Sequence, residues 1–180
     1  VSQEIVTASL EPEGIYQAIH RAAAQLMPAE AFVITQYDEE EQIHRAVYLI
    51  DRSKRVSEQL VPAECGLSGR ILAAGKPIYM EDTLDEEKVG ELIHFGDPEQ
   101  VRSVAAVPMR LGGKVVGMLS AQCYRPRAYT AEDLSLLEML ASYAAIALDN
   151  ARLLIHTRQL AITDALTDIF NRRHLFEIGQ

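Results

Sequence analysis

The side chains best suited to chemistry in this sequence are two cysteines and five histidines, and they are widely separated. Cys65 and Cys123 form no C-x-x-C pair, which is typical of a reducing compartment without disulfides. The five histidines are dispersed, and the chain has no P-loop, H-E-x-x-H, G-x-S-x-G or zinc-ligand spacing. We therefore expect no catalytic residue and no metal site in this chain.

Cys65 remains a candidate for thiol chemistry because it directly precedes the run Gly66-Leu67-Ser68-Gly69. A cysteine reacts when its thiolate is favoured, and Arg70 is the nearby cation in the sequence. A redox sensor, a redox enzyme or a tetrapyrrole attachment at Cys65 is therefore one alternative. Cys123 lies in an apolar run and is expected to be a small buried side chain.

Composition narrows the class of protein. Of 180 residues, 48% are hydrophobic and 24% charged, which is ordinary for a globular domain that buries a core. The net charge of −9 argues against nucleic acid as a partner, because binding phosphates requires a basic surface. No apolar run approaches the roughly 20 residues that span a bilayer. We expect a cytoplasmic fragment without membrane contact.

The hydrophobic pattern predicts a helix, three strands, a polar excursion with a short helix, a two-strand hairpin and a long final helix. Gly112-Gly113 is the expected hairpin turn, and Thr130 with Asp133 is the expected start of the final helix. The first helix is predicted over 5–27, the three strands over 31–37, 43–50 and 56–61, and the excursion over 62–99, with a possible short helix at 89–95. The two hairpin strands follow over 101–111 and 114–124, and the final helix over 130–162.

This order predicts an α+β fold. Sequential strands with a hairpin favour a central antiparallel sheet of five to six strands, and helices at both ends favour packing on one face of it. Gly66 and Gly69 are expected to form a tight turn onto the short helix of the excursion, and Gly75 to end that helix.

The run from Asp164 to Arg173, D-A-L-T-D-I-F-N-R-R, resembles the D-x-L-T-x-L-x-N-R-R opening of the GGDEF domain, the catalytic domain of bacterial diguanylate cyclases. Asp168 stands where that family usually has glycine, and Ala165 where proline is common. The resemblance implies that the metal- and GTP-binding residues of the catalytic domain follow Gln180. The chain would then be a non-catalytic regulatory fragment of a cyclic-di-GMP signalling enzyme.

The middle of the chain resembles a GAF domain, a small-molecule-sensing module of bacterial signalling proteins. The matching motifs are G-x-x-G at 66–69, G-K-P-I at 75–78, Glu81-Asp82, S-V-A-A-V-P-M at 103–109, and V-G-M-L at 116–119 followed by Tyr129-Thr130. We expect a GAF-type domain over 1–149, a signalling helix over 150–163 and the truncated start of a GGDEF domain over 164–180.

The resemblance implies a ligand pocket between the sheet and the excursion, whose ligand the sequence does not reveal. The chain would carry no certain cofactor, although a small molecule could bind. Free methionine-sulfoxide reductases also resemble GAF domains, but their nucleophilic cysteine is replaced here by Ser68, and Asp97 lies near the position of a second cysteine. A ligand-free dimerisation module is the other alternative. The candidate ligand-binding residues are Tyr48, Cys65, Tyr79, His94, Phe95, Arg102 and Gln122.

Two neighbouring apolar stripes run along the final helix with the 3-4 spacing of a coiled coil. One contains Met139, Tyr143, Ile146 and Asn150, and the other Leu137, Ala144, Ala147 and Ala151. Past residue 149 the predicted domain has nothing left to bury apolar side chains, so we expect a homodimer through this helix and a GGDEF domain following in cis. The expected interface residues are Tyr143, Ala147, Asn150, Leu153, Leu154 and Leu160.

Overall fold

The computed structural model describes residues 11–85 and 93–177, with side chains described for 11–85 and 93–157. The first part of the predicted helix 5–27 lies outside the described residues. So does most of the predicted short helix 89–95, whose described remainder, 93–95, is not helical. The side chains of Leu160 and of the 164–173 motif are also outside the described part.

In chain order, the described residues form three helices and seven strands. Helix α1 begins at Pro12, whose fixed φ suits the first helical turn. The bounds are α1 Pro12–Leu26, β1 Ala31–Asp38, β2 Ile43–Asp51, β3 Lys54–Val56, β4 Gln59–Pro62, α2 Gly66–Ala74, β5 Ile78–Met80, β6 Ser103–Leu111, β7 Lys114–Cys123 and α3 Ala131–Glu177.

The strands form one antiparallel sheet in the order β3-β2-β1-β7-β6-β5, with β4 also paired to β2. The α+β class and the antiparallel sheet are confirmed. The sheet has seven strands rather than five to six because the predicted strand 56–61 is two short strands and the excursion contributes a further strand, β5. The two short strands pair with different parts of β2: β3 with Leu49–Asp51, and β4 with Ile43–Ala46.

Local signals in the sequence are confirmed at the turns. Gly112 and Gly113 connect β6 and β7 with φ values of 56° and 84°, which glycine adopts without steric cost. Gly75 ends α2 with φ 59°, and its N–H bonds to the carbonyl of Ile71. Gly69 lies close to the preceding loop: a Cβ there would be 2.8 Å from the carbonyl oxygen of Ala63.

The two terminal helices pack on one face of the sheet, as predicted, and α2 packs on the other. Phe32 and Ile34 of β1 belong to the core under α1 and α3. Val33, between them in sequence, belongs to the second core, where Leu67 and Ile71 of α2 are buried. The alternation of side chains along a strand thus gives the sheet two separate cores.

Helix α3 starts with reciprocal hydrogen bonds between Thr130 and Asp133: the N–H of Asp133 donates to Thr130 Oγ1 at 3.2 Å, and that of Thr130 to Asp133 Oδ2 at 2.8 Å. This confirms the predicted capping pair. The predicted helix end near residue 162 is wrong, because the helix continues to Glu177. Its 47 residues contain neither proline nor glycine, and at 1.5 Å per residue they extend about 70 Å.

Candidate functional site

A cavity of about 70 Å³ lies on the face of the sheet that α2 covers. Its floor is formed by β1, β2, β4 and β7, and its sides by the start of α2 and by residues 93–101. On β1, Ala31, Val33 and Thr35 face the cavity. This volume accommodates a few water molecules or one small organic group.

The walls of the cavity are mostly apolar, with a few polar groups among them. Such walls are typical of small-molecule sites, where the apolar surface supplies affinity and the polar groups fix orientation. The apolar lining residues are Ala31, Val33, Ala46, Leu49, Val61, Leu67, Ile93, Phe95, Val101 and Met118.

Two buried polar side chains in the wall retain hydrogen-bonding capacity. Gln122 is 8% exposed, and its Nε2 donates to Ser120 Oγ at 3.3 Å. Within the described part of the chain, neither Gln122 Oε1 nor Ser68 Oγ has a hydrogen-bond partner, although both residues line the cavity. Thr35 differs, because its Oγ1 accepts the N–H of Met118 at 3.1 Å. Ser68 and Gln122 are therefore available to a bound molecule.

Asp51, at the end of β2, fixes the segment that closes the cavity. Its side chain is buried, and Oδ1 accepts the hydroxyl of Tyr124 at 2.7 Å. Oδ2 accepts the N–H of Asp97 at 2.5 Å. Burial, followed by the Asp51 carboxylate, raises the pKa of Tyr124, so that its hydroxyl remains a donor. This carboxylate joins the end of β2, the residue that follows β7 and the 93–101 segment.

Arg52 holds the same segment from outside. Its guanidinium donates to Asp97 Oδ2 at 3.2 Å and to the carboxylate of Glu99. It also lies over the Tyr124 ring, 4.1 Å from the ring centroid, an arrangement that attracts a cation to the aromatic face. Adjacent residues at the end of β2 thus close the cavity, Asp51 from inside and Arg52 from the surface.

Three of the predicted ligand-binding residues, His94, Phe95 and Gln122, line this cavity. His94 is exposed at its mouth, and Phe95 is half-buried. The structure brings them together from the excursion and from β7, as the sequence suggested. A role in binding remains a prediction for each of them.

Tyr48 and Tyr79 lie on the opposite face of the sheet, so their predicted placement at the cavity is wrong. The hydroxyl of Tyr48 is 3.2 Å from Nδ1 of His20 on α1. The hydroxyl of Tyr79 donates to the carbonyl of Tyr129 at 2.9 Å. Both rings pack in the core under the terminal helices. Because adjacent strand residues point to opposite faces, Leu49 rather than Tyr48 lines the cavity.

Cys65 and Arg102 are also outside the cavity lining. Cys65 is exposed at the residue preceding α2. Arg102 forms a two-point ion pair with Asp82, in which Nε donates to Oδ1 at 2.7 Å. This bonding lowers the pKa of Asp82 to about 2. The pair fixes the start of β6, so Arg102 lies outside this cavity, and its role in binding remains a prediction.

The possible metal ligands and the Cys123 thiol are the remaining reactive groups in the part of the chain that the structure describes. No three His, Cys, Asp or Glu side chains there are grouped to hold a metal ion. Cys123 is buried and donates its S–H to Glu30 Oε2 at 3.1 Å, and burial raises the pKa of its thiol. Within the described ranges, no helix has enough apolar length to cross a bilayer.

His44 is a buried histidine that the sequence pattern did not distinguish. It is 1% exposed, and neither ring nitrogen makes a hydrogen bond to a described residue. Burial lowers the pKa of His44, and the backbone of Ala63 opposes this only in part. The ring packs against Tyr37, with centroids 5.2 Å apart.

The structure separates the two stripes of α3. Leu137, Ala144 and Ala151 are buried against the domain. The other stripe, which we call the outer stripe, is exposed and consists of Met139, Tyr143, Ile146, Asn150 and Leu153. Of the other expected interface residues, Ala147 is half-buried and Leu154 exposed. Exposed apolar groups at heptad spacing are typical of a helix that packs against a partner.

The sequence pattern did not identify four of the residues that line the cavity: Thr35, Asp51, Ser68 and Glu99. The alternation of β1 carried a signal for Thr35, since every second residue of a strand shares a face. For Ser68 the signal was the glycine turn around it. Asp51 and Glu99 join segments more than 40 residues apart, and the local sequence contains no signal for that contact.

An antiparallel sheet with two terminal helices on one face, and a cavity under a strand connection on the other, is the architecture of an α+β domain. The chain belongs to the GAF domain family, whose model matches residues 9–149.

Solved structures share this fold at low sequence identity. The GAF domain of a two-component sensor histidine kinase from Bacillus halodurans is 17% identical, with a TM-score of 0.63 over 80% of this chain and 97% of that chain. A GAF domain/HD domain protein from Geobacter sulfurreducens is 14% identical, with a TM-score of 0.61 over 81% and 97%.

An enzyme has the same fold: the type II free methionine-R-sulfoxide reductase from Thermoplasma acidophilum is 13% identical, with a TM-score of 0.62 over 77% of this chain and 95% of that chain. At this identity the likeness concerns the fold alone. The described residues that line the cavity of the present chain include no cysteine, and Ser68 occupies the turn at the start of α2.

Proposed function

We propose that this GAF domain binds a small molecule in the cavity and controls a diguanylate cyclase domain that follows α3. The observation that carries the proposal is the cavity itself, where buried Ser68 and Gln122 present free polar atoms within apolar walls. A hydrogen bond from a ligand to either group would contribute about 0.5–1.5 kcal/mol.

The route from the cavity to α3 is short in the chain. Gln122 and Tyr124 line the cavity, and the strand that carries Gln122 leads through one connection into α3 at Ala131. Tyr129 anchors that connection, since its hydroxyl donates to the carbonyl of Pro28 at 2.8 Å. A ligand that prefers one position of β7 would bias the start of α3 by its differential affinity for the two positions.

The outer stripe supports a parallel homodimer as the acting form. Tyr143 is 67% exposed, and Met139, Ile146 and Leu153 are more than half exposed. A large apolar side chain contributes about 1.5–3 kcal/mol when fully buried, so pairing the outer stripes of two chains would be favourable. Asn150 within the stripe would fix the register of the pair.

The cyclase part of the proposal rests on the 164–173 motif, which resembles the opening of a GGDEF domain. Two catalytic domains that each hold one GTP must face each other to join them, and paired α3 helices would bring them together. Reading the coding sequence beyond Gln180 tests this directly. A G-G-[DE]-E-F loop and GTP-dependent synthesis by the longer protein are expected. A different downstream domain would refute the cyclase assignment and leave the sensor untouched.

Native mass spectrometry of the purified chain tests ligand binding and dimerisation together. We expect a dimer that carries a bound mass, and loss of that mass in Ser68→Ala and Gln122→Met. Ser142→Ala, at an exposed position of α3, is the matched control. A dimer without bound mass would favour the ligand-free dimerisation module, and loss of the mass with Cys65→Ser would favour the thiol alternative.

A further inference from the structure

His44 lies on the face of β2 that carries the cavity. It precedes Ala46, a lining residue, by two positions on the same strand, and side chains two apart on a strand share a face. In the register of the sheet, His44 is opposite Tyr37 of β1 and Val61 of β4, and Val61 also lines the cavity. The imidazole is therefore next to the cavity wall, between the two strands that flank this part of β2.

This imidazole is buried in its neutral form. Its two nitrogens have no hydrogen-bond partner among the described residues, and a protonated ring would need an acceptor for both, because both nitrogens are then donors. The backbone of Ala63 is the group that favours the charged ring, and burial outweighs it. A buried charge without partners is costly enough that the group stays neutral or the structure around it opens.

The side chains around His44 supply no counter-charge in the described part of the chain. Tyr37 contacts the ring with a phenol rather than a carboxylate. Asp38 and Glu41 both pair with Arg45. The four residues of β4 include no ionisable side chain. The other ionisable groups on the elements packed against this part of β2 are Glu64 and Cys65, both exposed, and Arg70 of α2, itself a cation. A proton on His44 would therefore remain unpaired.

The strand beside His44 is held by few contacts. β4 has four residues and pairs with β2, and its Leu60 is 60% exposed. Directly after it, the N–H of Ala63 donates to the carbonyl of Gln42 at 3.0 Å. Short, partly exposed elements of this kind open at a lower free energy than the centre of a sheet. β4 is therefore the element that can move away from a charged His44 while the rest of the sheet stays paired.

Movement of β4 would be passed on to the start of α2. Gly69 packs directly on the connection between them, since a Cβ there would be 2.8 Å from the carbonyl oxygen of Ala63 and 2.5 Å from the carbonyl carbon of Glu64. The neighbouring Ser68 lines the cavity, as do Gln59 and Val61 of β4. Displacing β4 and this connection therefore opens one wall of the cavity.

Accepting the proposed function for this cavity, we infer that His44 makes it sensitive to acid: protonation of the imidazole releases β4 and the start of α2, and a bound molecule then leaves. The sign follows from the burial. In the closed domain the ring stays neutral, whereas in the opened domain it lies in water and takes up a proton below its ordinary pKa of 6.5. The cavity is therefore most firmly closed above pH 6.5 and opens more often below it.

Hydrogen–deuterium exchange of the full chain, read by NMR at single amides, measures this opening. Between pH 7 and pH 5.5, after correction for intrinsic exchange, protection of the Ala63 amide should fall about tenfold, the limit for one proton over one pH unit. Met118 lies in the centre of the sheet, and its N–H donates to Thr35 Oγ1, so its amide reports unfolding of the whole domain. Ala63 should be less protected than Met118 at both pH values, because β4 opens without unfolding the sheet.

His44→Phe should remove the pH dependence at Ala63, because the ring that takes up the proton is absent. His156→Gln, at an exposed position of α3, should keep it. The molecule that co-purifies with the chain reports the link to binding: during dialysis, native mass spectrometry should show its mass lost up to about tenfold faster at pH 5.5 than at pH 7. In His44→Phe the two rates should be equal.

The outcomes separate this inference from the proposed function. Protection at Ala63 that does not change with pH, or that equals protection at Met118, would overturn the inference, and the wild-type profile alone decides this. A bound mass at pH 7 would then preserve the proposed function. Loss of the bound mass at the same rate at both pH values would overturn the link between His44 and binding. A chain without bound mass at pH 7 would remove the proposed function and that link with it.

Discussion

Gly96 and Asp51 occupy adjoining space so tightly that only glycine fits beside this carboxylate. A Cβ on Gly96 would lie 2.7 Å from the Cβ of Asp51, and Gly96 has φ 76°. The glycine thus allows the N–H of Asp97 to reach Asp51 Oδ2. The contact determines where the 93–101 segment crosses the cavity.

Gly96→Ala should therefore displace this segment. It should lower the free energy of unfolding by more than a positive φ alone would cost an alanine. An L-residue in the left-handed region costs about 1–2 kcal/mol. Gly113→Ala is the matched control, because Gly113 has φ 84° and a Cβ added there would meet no described atom within 4 Å. Thermal unfolding of both variants should show the larger loss for Gly96→Ala. Equal losses would mean that the contact with Asp51 is unimportant.

Substitution by lysine should affect dimerisation at Tyr143 and folding stability at the neighbouring Ala144. Tyr143→Lys changes an exposed residue of the outer stripe, so it should yield a folded monomer with intrinsic stability changed by about 0.5 kcal/mol or less. Ala144→Lys places a charge at a position only 1% exposed, and should cost about 3 kcal/mol or more. Light scattering and circular dichroism measure both effects. A Tyr143→Lys variant that stays dimeric would move the interface off the outer stripe.

Stability should fall on acidification below pH 6.5, in part through His44. Burial lowers the folded-state pKa of His44 from 6.5, so the unfolded chain binds more protons as the pH falls through and below that value. The contribution of neutral His44 is therefore complete above pH 6.5 and is lost below it. His44→Phe should reduce this slope and raise stability by about 1 kcal/mol, since the unpartnered ring nitrogens disappear.

Urea unfolding at several pH values measures the His44 effect. Part of the slope should remain, because burial also lowers the pKa of His20. His156→Gln, at an exposed position of α3, serves as the control. An unchanged slope in His44→Phe would show that His44 does not take part.

A second acid transition should come from the ion pair of Asp82 and Arg102. The pKa of Asp82 is about 2 in the folded chain against 3.8 as its ordinary value, so its contribution is present above pH 3.8 and is lost as the pH falls toward 2. Asp82→Asn should remove the pH dependence in this window. Arg102→Gln should do the same. The double variant should lose little more stability than either single variant, because both substitutions remove the same ion pair. Fully additive losses would contradict a coupled pair.

The two thiols should differ in accessibility. Cys65 is exposed and Cys123 buried, so a thiol reagent should modify Cys65 in the folded chain and Cys123 only after unfolding. Counting modified thiols by mass spectrometry with and without urea gives the result. Rapid modification of Cys123 in the folded chain would mean that β7 opens readily.

Much of the fold was predictable because its signals are local. The glycine pair at 112–113, the Thr130–Asp133 capping pair and Gly75 each depend on nearby backbone, and each is found as expected. The same holds for the order of elements and the GAF family, whose motifs follow one another along the chain.

The candidate site was predictable only in part, because the faces of β2 depend on its pairing. Ile34 pairs with Tyr48 but Thr35 pairs with Ala46, so the register shifts by one residue between them. One residue of shift exchanges the two faces of a strand. As a result Ala46 and Tyr48, two residues apart on β2, face opposite sides of the sheet: Tyr48 packs under the helices, while Ala46 lines the cavity.

The sequence by itself determined the α+β class, the turns, the two stripes of α3 and the family. The tertiary structure decided which stripe is covered, since only the packed sheet shows that Ala144 is buried and Tyr143 is not. It also decided the partners of two charged side chains. Asp51 accepts the N–H of Asp97, which lies 46 residues away in the sequence, and Arg102 pairs with Asp82. Turns and caps depend on neighbouring residues, whereas a binding cavity forms where separate segments meet, and that meeting is determined by the packing of the whole domain.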